Sequence, residues 1–246
     1  MPVYAGVSGV NRQIKKILAG VSGTNRQCKT AWAGVSGVNR QVFASGEALS
    51  TFSPGDLVKI KENGAAVEFL VLVHNYPASG RTLLIRKDIY DERNSCSNNN
   101  YPYNKSDIKT WCETTYLNLI ESGIRTQITA VPVICAEVRA SKYEYVTYNY
   151  KVFLLSVTEL NGTSVPAEGE LIPYFSTQSN RIALFNGVAS EWWTRSKSLA
   201  VKNYIVTEDG RVGSLVQASY SPSGSRPAFT LPSTILVDAS GNVLAP

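Results

Sequence analysis

The first 46 residues repeat one pattern of apolar and polar positions three times. The motif AGVSG(V/T)NRQ begins at residues 5, 19 and 33, an interval of 14 residues each time. Each unit has two short apolar stretches separated by Ser-Gly, which is typical of a tight hairpin in which glycine takes a positive φ. A helix is disfavoured because each glycine in a unit would cost it about 1 kcal/mol. The pattern therefore predicts paired short strands, forming a small repetitive sheet, a β-solenoid-like stack or strands shared between chains.

After the repeats, the spacing of apolar residues changes. A linker rich in Ser, Gly and other small residues is predicted at residues 44–56. Two strands joined by Asn63-Gly64, a strong hairpin signal, then precede a third strand at residues 81–90. The apolar run at residues 152–160 predicts a further strand.

One helix is predicted among these strands. Ser106 is placed to cap its first turn, where Asp107 is favourable because a helix N-terminus carries partial positive charge. Apolar positions then recur at helical spacing along one side. The predicted inner side consists of Ile108, Trp111, Cys112, Thr115 and Leu119.

These patterns together predict the fold class. The C-terminal part alternates apolar and polar residues around turns such as Asp209-Gly210, as antiparallel strands do. We therefore expect residues 47–246 to form an α+β domain of twisted antiparallel strands with one or two helices. Residues 1–46 are expected to form a separate all-β repeat segment in front of it.

The charge divides the chain at the same boundary. Residues 1–46 contain six basic and no acidic residues, so the other 18 basic and 19 acidic residues leave residues 47–246 with a net charge of −1. Because short hairpins bury little surface alone, we interpret the repeats as a docking or oligomerisation segment for an acidic or carbonyl-rich partner. A solvated basic edge that limits aggregation is the structural alternative. The predicted docking residues are Arg12, Lys15, Lys16, Arg26, Lys29 and Arg40.

The cysteines and the single histidine do not suggest a metal site. Cys28, Cys96, Cys112 and Cys135 have no C-x-x-C spacing, and a structural zinc ion needs four clustered Cys or His ligands. We expect reduced, buried thiols, although a Cys96–Cys112 bridge stays open. His74 lies in an apolar strand and is expected to be a hydrogen-bonded core residue. No catalytic residue, cofactor or metal is predicted.

Two tyrosine-rich stretches are candidate ligand surfaces. SNNNYPYNK (97–105) and SKYEYVTYNYK (141–151) mix tyrosine with Asn, Ser and Lys, as adaptable recognition surfaces do. The second stretch fits equally well an alternating strand whose tyrosines cover one face.

A third candidate is the segment WWTRS at residues 192–196. Neighbouring residues of a strand point to opposite faces, so at most one of the two tryptophans is expected in the core and the other on a ligand face. The structural alternative pairs Arg195 with a carboxylate. The candidate ligand-binding residues are Tyr101, Tyr103, Asn104, Tyr145, Tyr148, Trp192, Trp193 and Arg195.

An ordered set of motifs covers residues 50–237. The motifs are Tyr103-x-x-Ser106-Asp107-Ile108-x-x-Trp111, Phe153-Leu154-Leu155-Ser156, Glu168-Gly169, Tyr174-Phe175, Trp192-Trp193-Thr194-Arg195-Ser196 and Arg226-Pro227-Ala228-Phe229-x-Leu231. The set resembles a domain family of unassigned function that is frequent in prophages and bacteriophages of gut-dwelling Gram-positive bacteria, often behind GVxGVxR repeats. The resemblance implies a C-type-lectin-like fold, similar to that of formylglycine-generating enzymes and phage receptor-binding domains. Phe229 and Leu231 are then core residues, and Arg226 is a structural ion-pair or hydrogen-bond partner.

The resemblance implies a bacteriophage virion structural protein and not an enzyme. It would dock on capsid or tail proteins through its repeats, in many copies or as a homo-oligomer, and display the lectin-like domain as a capsid decoration or a tail-fibre adhesin. Multivalent display gives avidity to weak binding of a host-surface glycan or another host component. We expect cytoplasmic synthesis followed by a virion location, because neither a secretory signal nor an apolar run of about 18 residues is present.

Two other functions are weighed against this expectation. A metal- or thiol-dependent enzyme of the formylglycine-generating type would need several histidines or paired C-terminal cysteines, and the last cysteine is Cys135. Lectin-like calcium motifs are also missing from the sequence. A nucleic-acid-binding protein would use the basic repeats, but six charges with few aromatic residues make a thin phosphate-binding surface.

Overall fold

The computed structural model describes most of the chain. For residues 4–44 it describes the backbone alone. The described residues are 4–7, 10–13, 18–21, 24–27, 30–35, 38–44, 46–98, 101–162, 167–199, 202–217, 219 and 222–245.

Strands dominate the described residues, and the helical segments are short. The strands are β1 (Tyr4–Val7), β2 (Val10–Gln13), β3 (Leu18–Val21), β4 (Thr24–Gln27), β5 (Thr30–Val35), β6 (Val38–Ala44), β7 (Glu47–Ala48), β8 (Leu57–Glu62), β9 (Ala65–His74), β10 (Arg81–Arg86), β11 (Glu92–Arg93), β12 (Val131–Arg139), β13 (Lys142–Tyr150), β14 (Val152–Phe153), β15 (Ala183–Phe185), β16 (Val188–Ser190), β17 (Trp192–Lys197), β18 (Asn203–Val206), β19 (Val212–Val216), β20 (Ser223–Gly224), β21 (Ala228–Pro232) and β22 (Leu236–Val237). The helical segments are α1 (Asp107–Trp111), a π turn (Cys112–Tyr116), α2 (Leu117–Leu119), α3 (Ser122–Arg125) and the 3₁₀ turns Leu49–Thr51, Tyr103–Lys105, Pro173–Ser176 and Gln178–Arg181.

The three repeats form three antiparallel hairpins with one shared register. Strand β1 pairs with β2, β3 with β4 and β5 with β6, and among the described strands none pairs with another repeat. Arg12, Arg26 and Arg40 each stand opposite the alanine that opens its repeat. The predicted paired strands are confirmed, but a single repetitive sheet within the chain is wrong for the described strands. The Ser-Gly turns, Lys15, Lys16, Lys29 and Cys28 lie outside the described residues.

The predicted linker is partly wrong, because its second half belongs to the domain. Strand β7 pairs with β22, near the end of the chain. The next residue, Leu49, is fully buried, and its amide donates to the Ile235 carbonyl at 2.8 Å. A side chain at Gly46 would place its Cβ 2.6 Å from the Val237 carbonyl oxygen, so the chain enters the domain in close contact. Contacts with the domain therefore extend back to Gly46 among the described residues.

The first of two five-stranded sheets in the described chain has the order β14-β21-β10-β9-β8. Its β8–β9 hairpin turns at Asn63-Gly64, as predicted, with φ values of 51° and 83°. Positive φ at both turn residues matches the twist of a two-residue hairpin. Phe229 of β21 is fully buried and lies 5.3 Å from the ring of Phe69 in β9, which confirms its predicted core position.

The second sheet has the order β11-β20-β17-β18-β19, with β17 at its centre. All six residues of β17 are buried, including both Trp192 and Trp193. The prediction that at most one tryptophan enters the core is therefore wrong. The physical reason is that other parts of the domain cover both faces of this strand, whereas the prediction assumed that one face meets solvent.

The predicted helix begins where expected, but its buried side shifts. Ser106 caps it, because its hydroxyl accepts a hydrogen bond from the Lys109 amide at 3.2 Å. A π turn then follows α1, and a π turn adds a residue to the helical repeat. As a result Tyr116 is buried, whereas Thr115, predicted on the inner side, is exposed.

The apolar run at residues 152–160 forms a strand only at β14. Beyond Phe153, several of its backbone amides donate to side chains, and the Leu160 amide donates to carbonyls within the same run. The Leu154 amide donates to the Tyr103 hydroxyl at 3.0 Å, and the Ser156 amide to Glu159 Oε2 at 2.8 Å. The strand prediction is wrong here, because these side-chain acceptors take the place of a strand ladder.

One hydrophobic core joins both sheets and the helical segment, with members from Leu49 to Val243. The mixture of mostly antiparallel sheets and short helices confirms the α+β class. Strands β12 and β13 form a separate two-stranded arm on this body. Among the described residues, none of the helices has the length and apolarity needed to span a membrane.

A candidate binding pocket above a buried ion pair

A buried ion pair joins β17 to the segment that follows β14. The Arg195 guanidinium donates to both carboxylate oxygens of Glu159, at 2.6 and 2.8 Å, and both side chains are almost completely buried. This two-bond geometry suits the planar fork of arginine.

The remaining hydrogen-bonding positions of the two side chains are also filled. Arg195 donates to the carbonyls of Ile134, Leu154 and Glu168 at 2.9–3.0 Å, so all five of its N–H groups have partners. Glu159 accepts two further bonds, from the Ser156 amide and from the Tyr76 hydroxyl, each at 2.8 Å. Each carboxylate oxygen thus accepts two hydrogen bonds. The pair is saturated.

This arrangement fixes the charge states of the groups involved. Burial lowers the pKa of Arg195, but the adjacent Glu159 carboxylate outweighs that effect and holds the pKa above its ordinary value. Burial and then the Glu159 charge raise the pKa of the Tyr76 hydroxyl well above its usual range. Near neutral pH, Arg195 is therefore charged and Tyr76 keeps its proton as a donor.

A second buried carboxylate, Glu168, extends the network. It accepts hydrogen bonds from the Ala136 amide at 2.7 Å and from the Ser196 hydroxyl. The Ser156 hydroxyl donates to the Glu168 carbonyl at 2.7 Å. Burial is the main cause that raises the pKa of Glu168.

Gly169 lets the chain cross directly over the ion pair. Its φ is +102°, a conformation that favours glycine, and an added Cβ would lie 3.0 Å from Glu159 Oε1. The Glu168-Gly169 motif therefore has a local explanation: the first residue anchors the network and the second covers it.

Above this network lies a cavity of about 320 Å³. Tyr76, Glu159 and Arg195 form its floor, and Asn75, Gly169 and Glu170 contribute polar or backbone groups. The other lining residues are apolar: Val73, Pro77, Pro132, Ile134, Leu171, Ile172 and Pro173. An apolar concave site with few polar groups is the usual form of a ligand pocket.

The mouth of the pocket carries exposed apolar side chains and one carboxylate. Ile134 is 38% exposed and Leu171 is 44% exposed. Glu170 is exposed and forms no hydrogen bond or ion pair with any residue that the structure describes. This carboxylate is therefore available to a ligand.

The structure places the two predicted tryptophans away from any ligand surface. The Trp192 indole donates to the Arg181 carbonyl at 2.9 Å, and that of Trp193 to the Arg93 carbonyl at 2.7 Å. Both side chains are fully buried. Their assignment as ligand-binding residues is wrong, because the polar edge of each indole is satisfied inside the core.

Arg195 follows the structural alternative, since it pairs with a carboxylate, and it also forms part of the pocket floor. Arg226 is likewise buried and donates to the Arg86 carbonyl at 2.9 Å, which confirms its role as a hydrogen-bond partner. Both arginines act mainly as supports of the fold.

The tyrosine-rich stretches are divided between core and surface. Tyr103 is buried, so its ligand-binding assignment is wrong; its hydroxyl accepts from the backbone in the core. Tyr101 and Tyr145 are 44% and 51% exposed. Tyr148 is half-buried, donates to Glu137 and accepts from the Asn104 amide group at 2.7 Å.

Strand β13 brings one predicted tyrosine beside the pocket. Residues 142–150 form a strand, but its tyrosines do not cover one face as the structural alternative expected: Tyr143 and Tyr145 lie on one face, and Tyr148 and Tyr150 lie on the other. Tyr145 stands opposite Ala136, two residues from Ile134, so Tyr145 and Ile134 share a face of the β12–β13 arm. The Tyr145 hydroxyl accepts a hydrogen bond from the Ala167 amide at 3.1 Å, close in sequence to Gly169. Tyr145 therefore flanks the pocket.

The predicted site residues do not include Tyr76, Glu159, Glu170 and Leu171, although these line the pocket. The signals that pointed to this region were Arg195, Tyr145 and the Glu168-Gly169 motif. Nothing in the apolar pattern around Tyr76 distinguishes it from an ordinary strand end.

The thiols behave as predicted where the structure describes them, whereas His74 forms the predicted hydrogen bonds but is half-buried and not a core residue. Cys96, Cys112 and Cys135 are buried and unbridged. His74 bonds through Nδ1 to Thr82 Oγ1 at 2.9 Å and through Nε2 to the Phe52 carbonyl at 2.8 Å. Among the described residues, no three His, Cys, Asp or Glu side chains cluster as metal ligands would.

The raised pKa of Glu168 gives a pH-dependent contribution to stability, which the E168Q variant should lack. With the folded-state pKa of Glu168 raised, the unfolded chain loses this proton first as the pH rises above about 4.3. The contribution of Glu168 to stability is therefore present at low pH and lost as the pH rises through the folded-state pKa. Urea unfolding at about pH 4.5 and about pH 7 should show the wild-type advantage over E168Q shrinking.

A matched variant, E137Q, should behave oppositely. The hydrogen bond from Tyr148 lowers the pKa of Glu137, so its contribution is present at neutral pH and lost on acidification. The wild-type advantage over E137Q should therefore grow as the pH rises from about 3 to about 7, because the loss occurs below the ordinary glutamate pKa of about 4.3. A parallel response of both variants would contradict the assigned directions.

Comparison with known families gives one match. Residues 79–233, more than half of the chain, match the family described as Domain of unknown function (DUF6273). The matched segment contains the ion pair, Glu168 and most of the pocket lining. Neither a curated protein nor a solved structure matches the chain.

Proposed function

This chain belongs to the DUF6273 family, and we propose that its domain serves recognition rather than catalysis. The observation that carries this proposal is the saturated floor of the pocket. A general acid or base must exchange a proton with its substrate. Glu159 and Arg195 have every hydrogen-bonding position filled by the protein itself, which suits a rigid support under a binding surface.

The pocket and its surroundings suit binding. Apolar walls built on a saturated network form a site that needs little rearrangement to accept a ligand. The exposed side chains of Tyr145, Ile134 and Leu171 extend this surface beyond the cavity. We propose that this surface binds a component of a host cell.

The fold proposed for this domain is C-type-lectin-like. Support comes from its α+β composition of twisted antiparallel strands with a short helical segment, and from the motif resemblance over residues 50–237. The same resemblance supports a bacteriophage virion location, on the capsid or on the tail.

The repeats are the proposed attachment segment. Three hairpins in one register present three equivalent units, and the six basic residues of this segment have no acidic neighbours within it. Two-stranded hairpins are marginal in water, so contact with a particle surface or with sister chains would stabilise them. Equivalent units bound side by side gain affinity through effective concentration.

Attachment through the repeats predicts a loss of particle binding on removal of their arginines. Purified particles lacking this protein would be mixed with the labelled full chain, sedimented and imaged. The R12Q/R26Q/R40Q variant should bind about fivefold or more weakly, since three ion pairs of a multivalent contact are lost. The imaged label distinguishes capsid from tail.

The control replaces three exposed lysines of the domain. K142Q/K151Q/K202Q removes the same charge from positions outside the repeats. It should bind particles like the wild type. Equal weakening of both triple variants, or of neither, would count against the repeats as the specific anchor.

A further inference from the structure

Resting on the proposed recognition function, we infer that the pocket takes a cationic group on an aliphatic stem, such as a lysine side chain of a partner protein. The cavity measures about 320 Å³, at the small end for ligand sites of about 300–1,000 Å³. It has room for a side chain with its adjoining backbone.

The sign of the ligand charge follows from the unpaired group at the pocket. Arg195 and Glu159 neutralise each other, and the bonds of Arg195 to Glu159 and to three carbonyls leave it no donor for an anion. Glu170 is the remaining charged lining residue, and it has no ion-pair partner among the described residues. A ligand that completes the pocket electrostatically therefore carries a positive charge.

The apolar residues of the pocket walls indicate that the ligand has an apolar stem. Ile134 and Leu171 are partly exposed at the mouth, and three prolines line the cavity. An alkyl chain removes this surface from water without needing hydrogen-bond partners. Lysine side chains combine such a chain with a charged head that stays near solvent, where Glu170 lies.

A sugar fits the same cavity less well. Its hydroxyl groups would lose water and need protein partners, but the floor groups are already occupied. Among the lining side chains, Asn75 and Glu170 provide the polar atoms outside the ion-pair network, and Asn75 already accepts a bond from the Gly80 amide. Aromatic stacking on Tyr145 alone would leave most hydroxyls unpaired.

The test is amide chemical-shift mapping by NMR on the isotopically labelled full chain. The probes are a blocked Gly-Lys-Gly peptide, its norleucine analogue, putrescine and a methyl glucoside. The lysine peptide should shift the amides of Gly169, Glu170 and Leu171 and bind about threefold or more tightly than the norleucine peptide. Putrescine binding as tightly as the lysine peptide would assign the cation to a free amine and overturn the protein partner.

Two variants locate the effect at the rim. E170Q should weaken the lysine peptide about three- to fivefold, which is the range for an exposed ion pair, and leave the norleucine peptide unchanged. The matched E208Q variant removes another exposed carboxylate, which does not line the pocket, and should bind like the wild type.

The remaining outcomes overturn the inference in distinct ways. Equal binding of both peptides, with no effect of E170Q, would remove the cation while leaving a recognition pocket. Binding of the glucoside at these amides would assign the site to a sugar. If none of the probes shifted the pocket amides, the inference would fail, whereas the proposed display function would still be decided by the particle-binding experiment.

Discussion

R195M is expected to lower the free energy of unfolding by about 3–5 kcal/mol, a large part of the roughly 5–15 kcal/mol typical of a domain. Glu159 would be left charged and buried without its partner. Three backbone carbonyls, those of Ile134, Leu154 and Glu168, would also lose their donor. Urea unfolding followed by tryptophan fluorescence measures the loss.

Two further variants separate the causes. R195K keeps the charge, but lysine offers only three N–H groups to the five acceptors that Arg195 satisfies. A substantial loss of unfolding free energy should therefore remain. E159M/R195M removes both charges and should be more stable than R195M, because no uncompensated charge stays buried. A loss below about 1 kcal/mol for R195M would contradict the central role of this ion pair.

W192A and W193A are each expected to lower the free energy of unfolding by about 3–5 kcal/mol, because both indoles are completely buried in the core. The Trp192 ring also lies under the Arg226 guanidinium, 4.8 Å from its centroid. Burial lowers the pKa of Arg226 to about 10, and losing the ring would leave this cation with less compensation.

Conservative variants keep this prediction measurable. W192F and W193F retain most of the volume but leave the Arg181 or Arg93 carbonyl without its donor, a cost of about 1–3 kcal/mol. V188A, at a side chain that is 67% exposed, should change stability by less than about 0.5 kcal/mol. If W193A resembled V188A in a urea-unfolding series, the ligand-face hypothesis would return.

The sequence predicted best those features that depend on neighbouring residues. The Asn63-Gly64 turn and the Ser106 cap are set by the conformations and hydrogen bonds of three or four adjacent residues. The buried thiols also followed from composition and spacing. Local chemistry leaves a local pattern.

Features that depend on distant segments were predicted poorly. The alternation of side chains along β17 suggested one outward face, but Thr194 and Ser196 find buried partners elsewhere in the chain. The run from Leu154 to Leu160 resembled a strand because it is apolar, but the Leu154 amide donates to the Tyr103 hydroxyl, which belongs to another segment. The alternation of apolar and polar positions along a strand does not reveal such partners.

The pocket shows the same limit for function. Its lining joins Tyr76, the β12 strand, Glu159, the 169–173 segment and Arg195, which are separated by tens of residues. Arg195 and Gly169 belong to motifs of the sequence, whereas the others are ordinary in their own stretches. Their chemistry appears only when the fold brings them together.

The pairing of β7 with β22 has a mechanical consequence. A pull applied to the domain through residue 46 reaches it at a ladder of two residue pairs, Glu47 with Val237 and Ala48 with Leu236. Such a short ladder yields before the five-stranded sheets behind it, and each freed residue adds about 3.3–3.6 Å of chain. If the domain is attached through its repeats, a pulling force would thus first release residues of the β7–β22 pairing and lengthen the connection. The pocket over the Arg195–Glu159 pair would keep its shape.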